Sequence, residues 1–332
     1  MRPATQVALV ALGLASLTAC GGTHPASGPS GSAAAPVTSD TSTAHPKPTH
    51  LTVAVAPWRL PYAIAREAVI ATGPGQVLVG GGMFPGDTSS ARSFELTLAT
   101  GRATELPSMS VDVHDVAGGL YAGAPAVYGG GNATEQSIVQ QFRSGVWRVV
   151  DHMPATRSDL SVAVVGATTY VLGGYDGTGV PTSVLAQSGS GGLKPAGHLV
   201  EGVRYAASAV VGTSIYLFGG EVAGAELGVV QRYDTVSHTT TVVARLPVPL
   251  GHASAAVLGG RILLMGGRIQ PDVGTRAMWW FDATTHRFSR AGELPSPITD
   301  AAVAMSADGL TAWLLGGEAP SVRAGVIRLS LS

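Results

Sequence analysis

One pattern recurs along most of this chain, a short apolar run that ends in two glycines. It occurs six times, with glycine pairs at residues 80–81, 129–130, 173–174, 219–220, 266–267 and 316–317. Successive pairs lie 44 to 50 residues apart. A regular period of this size is typical of repeat proteins, in which each repeat is one supersecondary unit that packs on its neighbours. The period therefore predicts one array of six similar units over residues 51–332.

Each repeat has the pattern of four β-strands. A first apolar run, such as 208–212, precedes the glycine-ended run by a turn of two or three residues, as in a hairpin. A polar loop follows, then a third strand such as 229–234 and a fourth that ends in Leu-Pro or Met-Pro. The 45 glycines, about twice the usual share, disfavour long helices. Four strands per unit, repeated radially, predict a six-bladed β-propeller.

The last repeat contains three predicted strands, at 301–305, 312–317 and 325–331. The segment LTVAVAPWRLP, at 51–61, carries the Leu-Pro ending of a fourth strand. Closing a ring of blades removes unpaired strand edges, which are sites of aggregation. We therefore expect the N-terminal strand to pair into the last blade and close the propeller.

The fourth repeat contains the motif R-x3-S-A-V-V-G-x2-I-Y-L-F-G-G at 204–220, followed by Q-R-Y-D at 231–234. This motif resembles a kelch repeat, and the resemblance covers residues 51–332. It implies an all-β, six-bladed kelch-type β-propeller with four-stranded blades, but it does not specify an activity, because one fold supports many functions. The third repeat departs from the pattern, with SVLAQSGSGG at 183–192 in place of the Tyr-Asp segment.

The N-terminus has the features of a secretory signal. The apolar run at 7–17 is too short to span a bilayer. It leads into Leu-Thr-Ala-Cys at 17–20, which resembles the lipobox of bacterial lipoproteins and implies a signal peptide at 1–19 and a lipidated Cys20, the one cysteine of the chain. Residues 20–50 are rich in Ser, Thr, Ala and Pro and predict a flexible tether. The expected location is the bacterial cell envelope, lipid-anchored on the outer face of the membrane. The alternatives are an ordinary cleaved signal or a short membrane anchor.

Charge and motifs exclude several classes of function. With 20 Lys and Arg against 21 Asp and Glu, the net charge is -1, which argues against a nucleic-acid partner. The repeats contain no zinc-ligand pattern, phosphate-binding loop or serine nucleophile elbow, so we expect neither a metal site nor a cofactor. Because no cysteine follows Cys20, the Cys–Tyr crosslink of kelch-like radical copper oxidases is excluded.

Polar side chains occur in every repeat just before the first strand. In a propeller that strand starts on the face where the second strand ends, so we expect these residues to meet at the mouth of the central channel. A structural alternative is that they line a water-filled channel and pair with one another. The candidates are Arg66, His114, Asp115, Arg157, Asp159, Arg204, Tyr205, His252 and Asp300.

Two functions are consistent with these candidates. In animal kelch propellers that recognise acidic peptides, arginines at this position often contact the ligand. This similarity implies a binding or scaffold module, in which Arg66, Arg157 and Arg204 contact a protein, a glycan or a small anionic ligand. The other function is a carbohydrate-active propeller similar to kelch-type sialic acid mutarotases. Its acid and base candidates for proton transfer are Asp115, Asp159, His252 and Asp300. Convergence of an acid or base with two arginines in one pocket is the feature that distinguishes them.

Overall fold

The computed structural model describes residues 49–332, and every regular element in this range is a β-strand. The predicted signal peptide, Cys20 and all but the last two residues of the predicted tether lie outside the described residues. Within residues 49–332, no helix has the length and apolar character needed to cross a membrane.

The strands form six antiparallel sheets of four strands each. Along the chain, β1 (Leu51–Val55) comes first. The first sheet has β2 (Ala68–Gly73) and β3 (Gln76–Gly80), a small hairpin of β4 (Met83–Phe84) and β5 (Thr88–Ser89), then β6 (Ser93–Thr97) and β7 (Arg102–Leu106). The second has β8 (Ala117–Tyr121), β9 (Ala124–Tyr128), β10 (Ile138–Arg143) and β11 (Val146–His152). The third has β12 (Ser161–Val165), β13 (Thr168–Leu172), β14 (Ser183–Ser188) and β15 (Lys194–His198).

The later sheets repeat this order. The fourth has β16 (Ala207–Val211) and β17 (Ser214–Phe218), the hairpin β18 (Glu221–Val222) and β19 (Ala225–Glu226), then β20 (Val229–Asp234) and β21 (Thr239–Arg245). The fifth has β22 (Ser254–Leu258) and β23 (Arg261–Met265), the hairpin β24 (Arg268–Gln270) and β25 (Val273–Gly274), then β26 (Ala277–Asp282) and β27 (Arg287–Glu293). The sixth has β28 (Ala302–Met305), β29 (Thr311–Leu315) and β30 (Val326–Leu331).

The first strand of each sheet lies innermost. These strands contact one another in a closed cycle, β2 with β8, then β12, β16, β22, β28 and again β2. A closed cycle of inner strands surrounds a central channel, so the six sheets are the blades of a propeller. The predicted six-bladed β-propeller is confirmed.

The N-terminal strand closes the ring as predicted. β1 pairs antiparallel with β30, from Leu51 opposite Leu331 to Val55 opposite Ile327. It supplies the fourth strand of the last blade, which otherwise consists of β28, β29 and β30.

The hydrophobic core lies between blades rather than inside one layer. The second strand of each blade is almost entirely buried, because neighbouring blades cover both of its faces. Six clusters of buried side chains fill the spaces between adjacent blades. In one of them, Phe218 of the fourth blade packs edge-on against Phe281 of the fifth, with ring centroids 5.1 Å apart. This explains the unbroken apolar runs, since a strand covered on both faces has no polar side.

Both glycines of each pair have positive φ, as a close approach to the next blade requires. Gly220, for example, has φ 101°, and a side chain there would overlap the carbonyl oxygen of Arg204. In the first blade these angles belong to Gly81 and Gly82, so the predicted pair 80–81 is one residue too early. Three consecutive glycines made the sequence ambiguous there, and Gly80 still belongs to β3.

Candidate functional site

Each of the six inner strands is preceded, two residues before its start, by a residue in the left-handed backbone conformation, with φ between 52° and 59°. We call these six residues the inner ring, and they are Arg66, Asp115, Asp159, Tyr205, His252 and Asp300. In five of the six steps around the channel, the N–H of one donates to the carbonyl oxygen of its equivalent in the preceding blade, at 2.9–3.1 Å. At the sixth step, Val116 N–H donates to Arg66 O at 3.4 Å. Backbone strain at non-glycine residues is concentrated at functional sites in proteins, which marks this ring as a candidate.

A second layer lies just outside the inner ring. The residue before each ring residue forms an antiparallel bridge with the residue that follows the glycine pair of the same blade. His114 and Arg204 are two of these preceding residues, and they bridge Gly131 and Glu221. We call the residues after the glycines the rim, and they are Met83, Gly131, Tyr175, Glu221, Arg268 and Glu318. Glu221, Arg268 and Glu318 were not among the predicted site residues, although their position directly after Gly-Gly is a signal that could have identified them.

Arg66 is held by carboxylates from two other blades. Its Nε donates to Glu318 Oε1 at 2.8 Å, and its Nη1 lies 3.3 Å from Asp115 Oδ1. Nη1 also donates to the hydroxyl of Tyr205 at 3.2 Å. Burial lowers the pKa of the Arg66 guanidinium, but the charges of Asp300 and Asp115 raise that pKa by more, so the net shift is upward. Arg66 is therefore a fixed cation that links four blades.

Arg204 and Tyr205 form an aromatic and cationic wall. Arg204 Nε lies 3.0 Å from Asp159 Oδ2, and its guanidinium lies over the rings of Tyr205 and Tyr175, at 4.6 and 4.9 Å from their centroids. The Tyr205 ring stacks on the His252 imidazole, with centroids 3.8 Å apart. Burial and the charge of Asp115 raise the pKa of Asp159, against the lowering effect of Arg204.

His252 has partners at both ring nitrogens. Nδ1 lies 2.7 Å from Asp300 Oδ1, and Nε2 lies 3.2 Å from Glu221 Oε2. Arg268 Nη2 also contacts Nε2 and donates to Glu221 Oε2 at 2.8 Å. Burial lowers the pKa of His252, but Asp300 and Glu221 raise it by more, so the imidazole gains proton affinity.

Arg157 does not lie at the channel mouth, in contrast to its prediction as a ligand-binding residue. Its side chain is buried and donates hydrogen bonds to the carbonyl oxygens of Gly173 and Ser183 and to Ser183 Oγ, at 3.1, 2.9 and 2.6 Å. Its carbonyl oxygen accepts a hydrogen bond from the N–H of Gly130, the second glycine of a pair. In the other blades, the second glycine donates the equivalent hydrogen bond to the carbonyl oxygen of an apolar residue: Ile64, Val113, Val203, Leu250 or Ile298. Arg157 is two residues before the ring residue Asp159, so its guanidinium fastens the third blade internally. Burial lowers its pKa to about 10.

The Kelch motif family matches residues 203–247, which cover the fourth blade. The chain is a kelch-repeat β-propeller. It is 27% identical over 203 residues to the Kelch-like protein terF of Aspergillus terreus, a match that covers 55% of this chain and 43% of that protein. The chain thus spans less than half of that relative's length. The solved structure titled "Structure of YjhT" matches this kelch propeller with a TM-score of 0.72 and 14% identity, over 82% of this chain and 99% of that one.

The channel mouth of this kelch propeller is rich in carboxylates. Each of its three arginines has a carboxylate partner: Arg66 with Asp115 and Glu318, Arg204 with Asp159, and Arg268 with Glu221 and Glu226. An arginine that already pairs with a carboxylate attracts an added anion less strongly. Within residues 49–332, no group of three or more His, Cys, Asp or Glu side chains is arranged to hold a metal ion.

Three cavities that share lining residues lie at this face. The mouth cavity, of about 280 Å³, is lined by Arg66, Arg204, Tyr205, Glu221, His252 and Arg268. Deeper in the channel, a space of about 150 Å³ lies against the inner ring and the residues that follow it, Glu67 among them. A third pocket, of about 420 Å³, lies between the fifth and sixth blades and shares Arg268 with the mouth cavity.

Glu67 is a buried acid that was not among the predicted site residues. It is 5% exposed, and neither carboxyl oxygen has a hydrogen-bond partner within residues 49–332. Burial raises the pKa of Glu67 to about 8. It is therefore protonated over most of the acidic and neutral range.

Proposed function

We propose that this kelch propeller is an extracytoplasmic binding module of a bacterial envelope, and that its ligand binds at the channel mouth. The observation that carries the proposal is the inner ring itself. Its six strained residues all line the deeper channel cavity, and three of them, Arg66, Tyr205 and His252, also line the mouth cavity. Each of these charged groups is held by a partner from another blade, so the surface is ordered before a ligand arrives. Preorganisation of this kind reduces the entropic cost of binding.

The pairing of charges favours a ligand that is polar but carries no net negative charge at this point. Arg66 and Arg204 were expected to bind an anion, yet their guanidinium groups already contact Glu318 and Asp159. Hydroxyl and amide groups can share these hydrogen bonds without displacing a charge. The ring of Tyr205, stacked on His252, supplies an apolar face for the same ligand.

Thermal-shift screening of the full-length protein with neutral polar peptides and oligosaccharides tests this proposal. A binding compound should raise Tm, and Arg204→Ala and Tyr205→Ala should each weaken its binding by at least about 10-fold, the equivalent of one lost charge-assisted contact. Arg143→Ala is the matched control, because Arg143 is exposed at the end of β10. Unchanged affinity in both mouth variants would refute a site at the mouth.

The envelope location rests on the N-terminal sequence. Leu-Thr-Ala-Cys at 17–20 follows an apolar run of signal-peptide length, and two acyl chains give stable membrane attachment. Metabolic labelling with a fatty-acid probe should mark the protein and not its Cys20→Ser variant. Labelling that persists in Cys20→Ser would contradict the anchor.

A carbohydrate-active function is the second candidate, and one observation favours it. His252 and Glu221 lie in the same cavity as Arg66 and Arg204, so acid and base groups converge with two arginines. Proton transfer at an anomeric centre needs such groups, and burial raises the pKa of Asp159 in the direction that suits a general acid. Proton NMR of freshly released sialic acid should then show faster anomer exchange, lost in Asp159→Asn and retained in Arg143→Ala. Exchange at the rate seen in buffer alone would exclude this function.

A further inference from the structure

The largest of the three cavities at the mouth face has a different character from the mouth itself. It lies between the fifth and sixth blades, and its walls include Ser296, Pro297, Ile298, Ala319, Pro320 and Arg323. Its volume of about 420 Å³ is in the range of small-molecule sites. Asp300 and Glu318 border it on the side of the channel, so it adjoins the inner ring and the rim.

Arg323 differs from the arginines of the mouth in its partners. Nη1 donates to Ser296 Oγ at 3.1 Å, and Nη2 donates to the carbonyl oxygen of Ala319. Within residues 49–332, no carboxylate lies within ion-pair distance of its guanidinium. A guanidinium has five N–H donors, so three remain beyond these two contacts.

The surroundings of Arg323 strengthen its attraction for an anion. The residue is partly buried, and this burial lowers its pKa because the cation loses hydration. An anion that restores the lost contacts is bound more strongly there than at an exposed arginine, because solvent screens the pair less. A carboxylate suits the site, since its two oxygens accept parallel hydrogen bonds from one guanidinium.

The remaining walls define the rest of the ligand. Pro297, Ile298, Ala319 and Pro320 form an apolar surface. Among residues 49–332, no aromatic side chain lines the pocket for a sugar ring to stack on. Asp272, Asp300 and Glu318 also border the pocket and repel a second negative charge. We propose that this pocket is a second binding site, specific for a monocarboxylate with an aliphatic body. The site does not require a ligand in the channel mouth.

Three probes of similar shape test the proposal on the full-length protein by ligand-observed NMR titration. They are 4-methylpentanoate, its uncharged amide 4-methylpentanamide, and the dicarboxylate 3-methylpentanedioate. We expect the monocarboxylate to bind at least about 10-fold more tightly than the other two, as one charge-assisted hydrogen bond predicts. Equal binding of the acid and the amide would overturn the proposal.

Variants locate the binding and separate it from the mouth. Arg323→Ala should remove the preference for the acid over the amide. If the alanine variant fails to fold, Arg323→Gln removes the charge with less loss of side-chain volume and should have the same effect. Tyr205→Ala and Arg143→Ala should keep the preference. Tight binding of 4-methylpentanoate to a folded Arg323→Gln variant would overturn the assignment. Loss of binding in Tyr205→Ala with retention in Arg323→Ala would place the acid in the mouth and also overturn it.

Discussion

Glu67 occupies in the first blade the position that Val116 occupies in the second. Each follows an inner-ring residue and lies against the second positive-φ glycine of its own blade, Gly82 for Glu67 and Gly130 for Val116. The end of each side chain faces the first such glycine of the preceding blade. A carboxyl group thus lies between the sixth and first blades where the equivalent interface holds a valine. The other blades carry Leu160, Ala206, Ala253 and Ala301 there.

Replacing Glu67 with Val should stabilise the propeller. The pKa of Glu67 is about 8 in the folded state and 4.5 without burial, so the unfolded chain releases the proton first as pH rises. The contribution of Glu67 to stability is then complete below about pH 4.5 and falls until about pH 8, by about 5 kcal/mol in total. Urea unfolding of Glu67→Val between pH 5 and about 8 should show a higher free energy of unfolding and a weaker pH dependence. The exposed Glu201→Gln is the control, and identical pH profiles for Glu67→Val and the unmodified protein would contradict the prediction.

Arg157→Ala should destabilise the fold without changing ligand affinity at the mouth. The change removes three hydrogen bonds from a buried guanidinium and leaves a cavity, at a cost of about 2–4 kcal/mol. Arg157→Leu should cost less, because the equivalent residue Leu250 is apolar. Chemical denaturation gives the stability, and Arg143→Ala should be nearly neutral. If the Arg157→Ala protein had normal stability and weaker ligand binding, the prediction would be contradicted and Arg157 would be a ligand-binding residue.

Removal of residues 49–60 should destabilise the whole propeller. The deletion exposes the edge of β30 and uncovers the cluster that Ala56 and Leu60 help to form between the sixth and first blades. We expect Tm to fall by roughly 10 °C or more, from the loss of several buried apolar side chains. Val55→Ser is the control, because Val55 is 66% exposed. A deletion variant with the Tm of the intact chain would show that β1 does not hold the ring closed.

Gly220→Ala and Gly212→Ala should differ sharply, although both positions have positive φ. At Gly212, φ is 61° and a methyl group would meet no atom within 4 Å, so the cost is the left-handed backbone alone, about 1–2 kcal/mol. At Gly220, φ is 101° and the methyl group would lie 2.6 Å from the carbonyl oxygen of Arg204. Gly220→Ala should therefore lower the unfolding free energy by clearly more than Gly212→Ala. Equal losses in denaturant titrations would mean that the blades separate easily at this contact.

Much of the candidate site was predictable from the repeat. Counting back from the glycines identified all six inner-ring residues, because each repeat places them at a similar distance before its inner strand. The same count included Arg157, which is displaced by two residues from the ring position. It did not include Glu67, whose unusual character appears only when it is compared with Val116 and its other equivalents. A single sequence with repeats of unequal length does not specify such alignments to the residue.

The sequence by itself determined the four-stranded pattern, the number of blades and the closure by β1. These follow from hydrophobic periodicity, from the number of repeats and from the strand that the last repeat lacks. Only the tertiary structure decided which charges pair. Arg66 meets Glu318 across 252 residues, and this contact exists only after the ring has closed. The same closure leaves Arg323 without a carboxylate partner among the described residues. Strand patterns are local, whereas the electrostatics of a channel depends on side chains that six blades bring together.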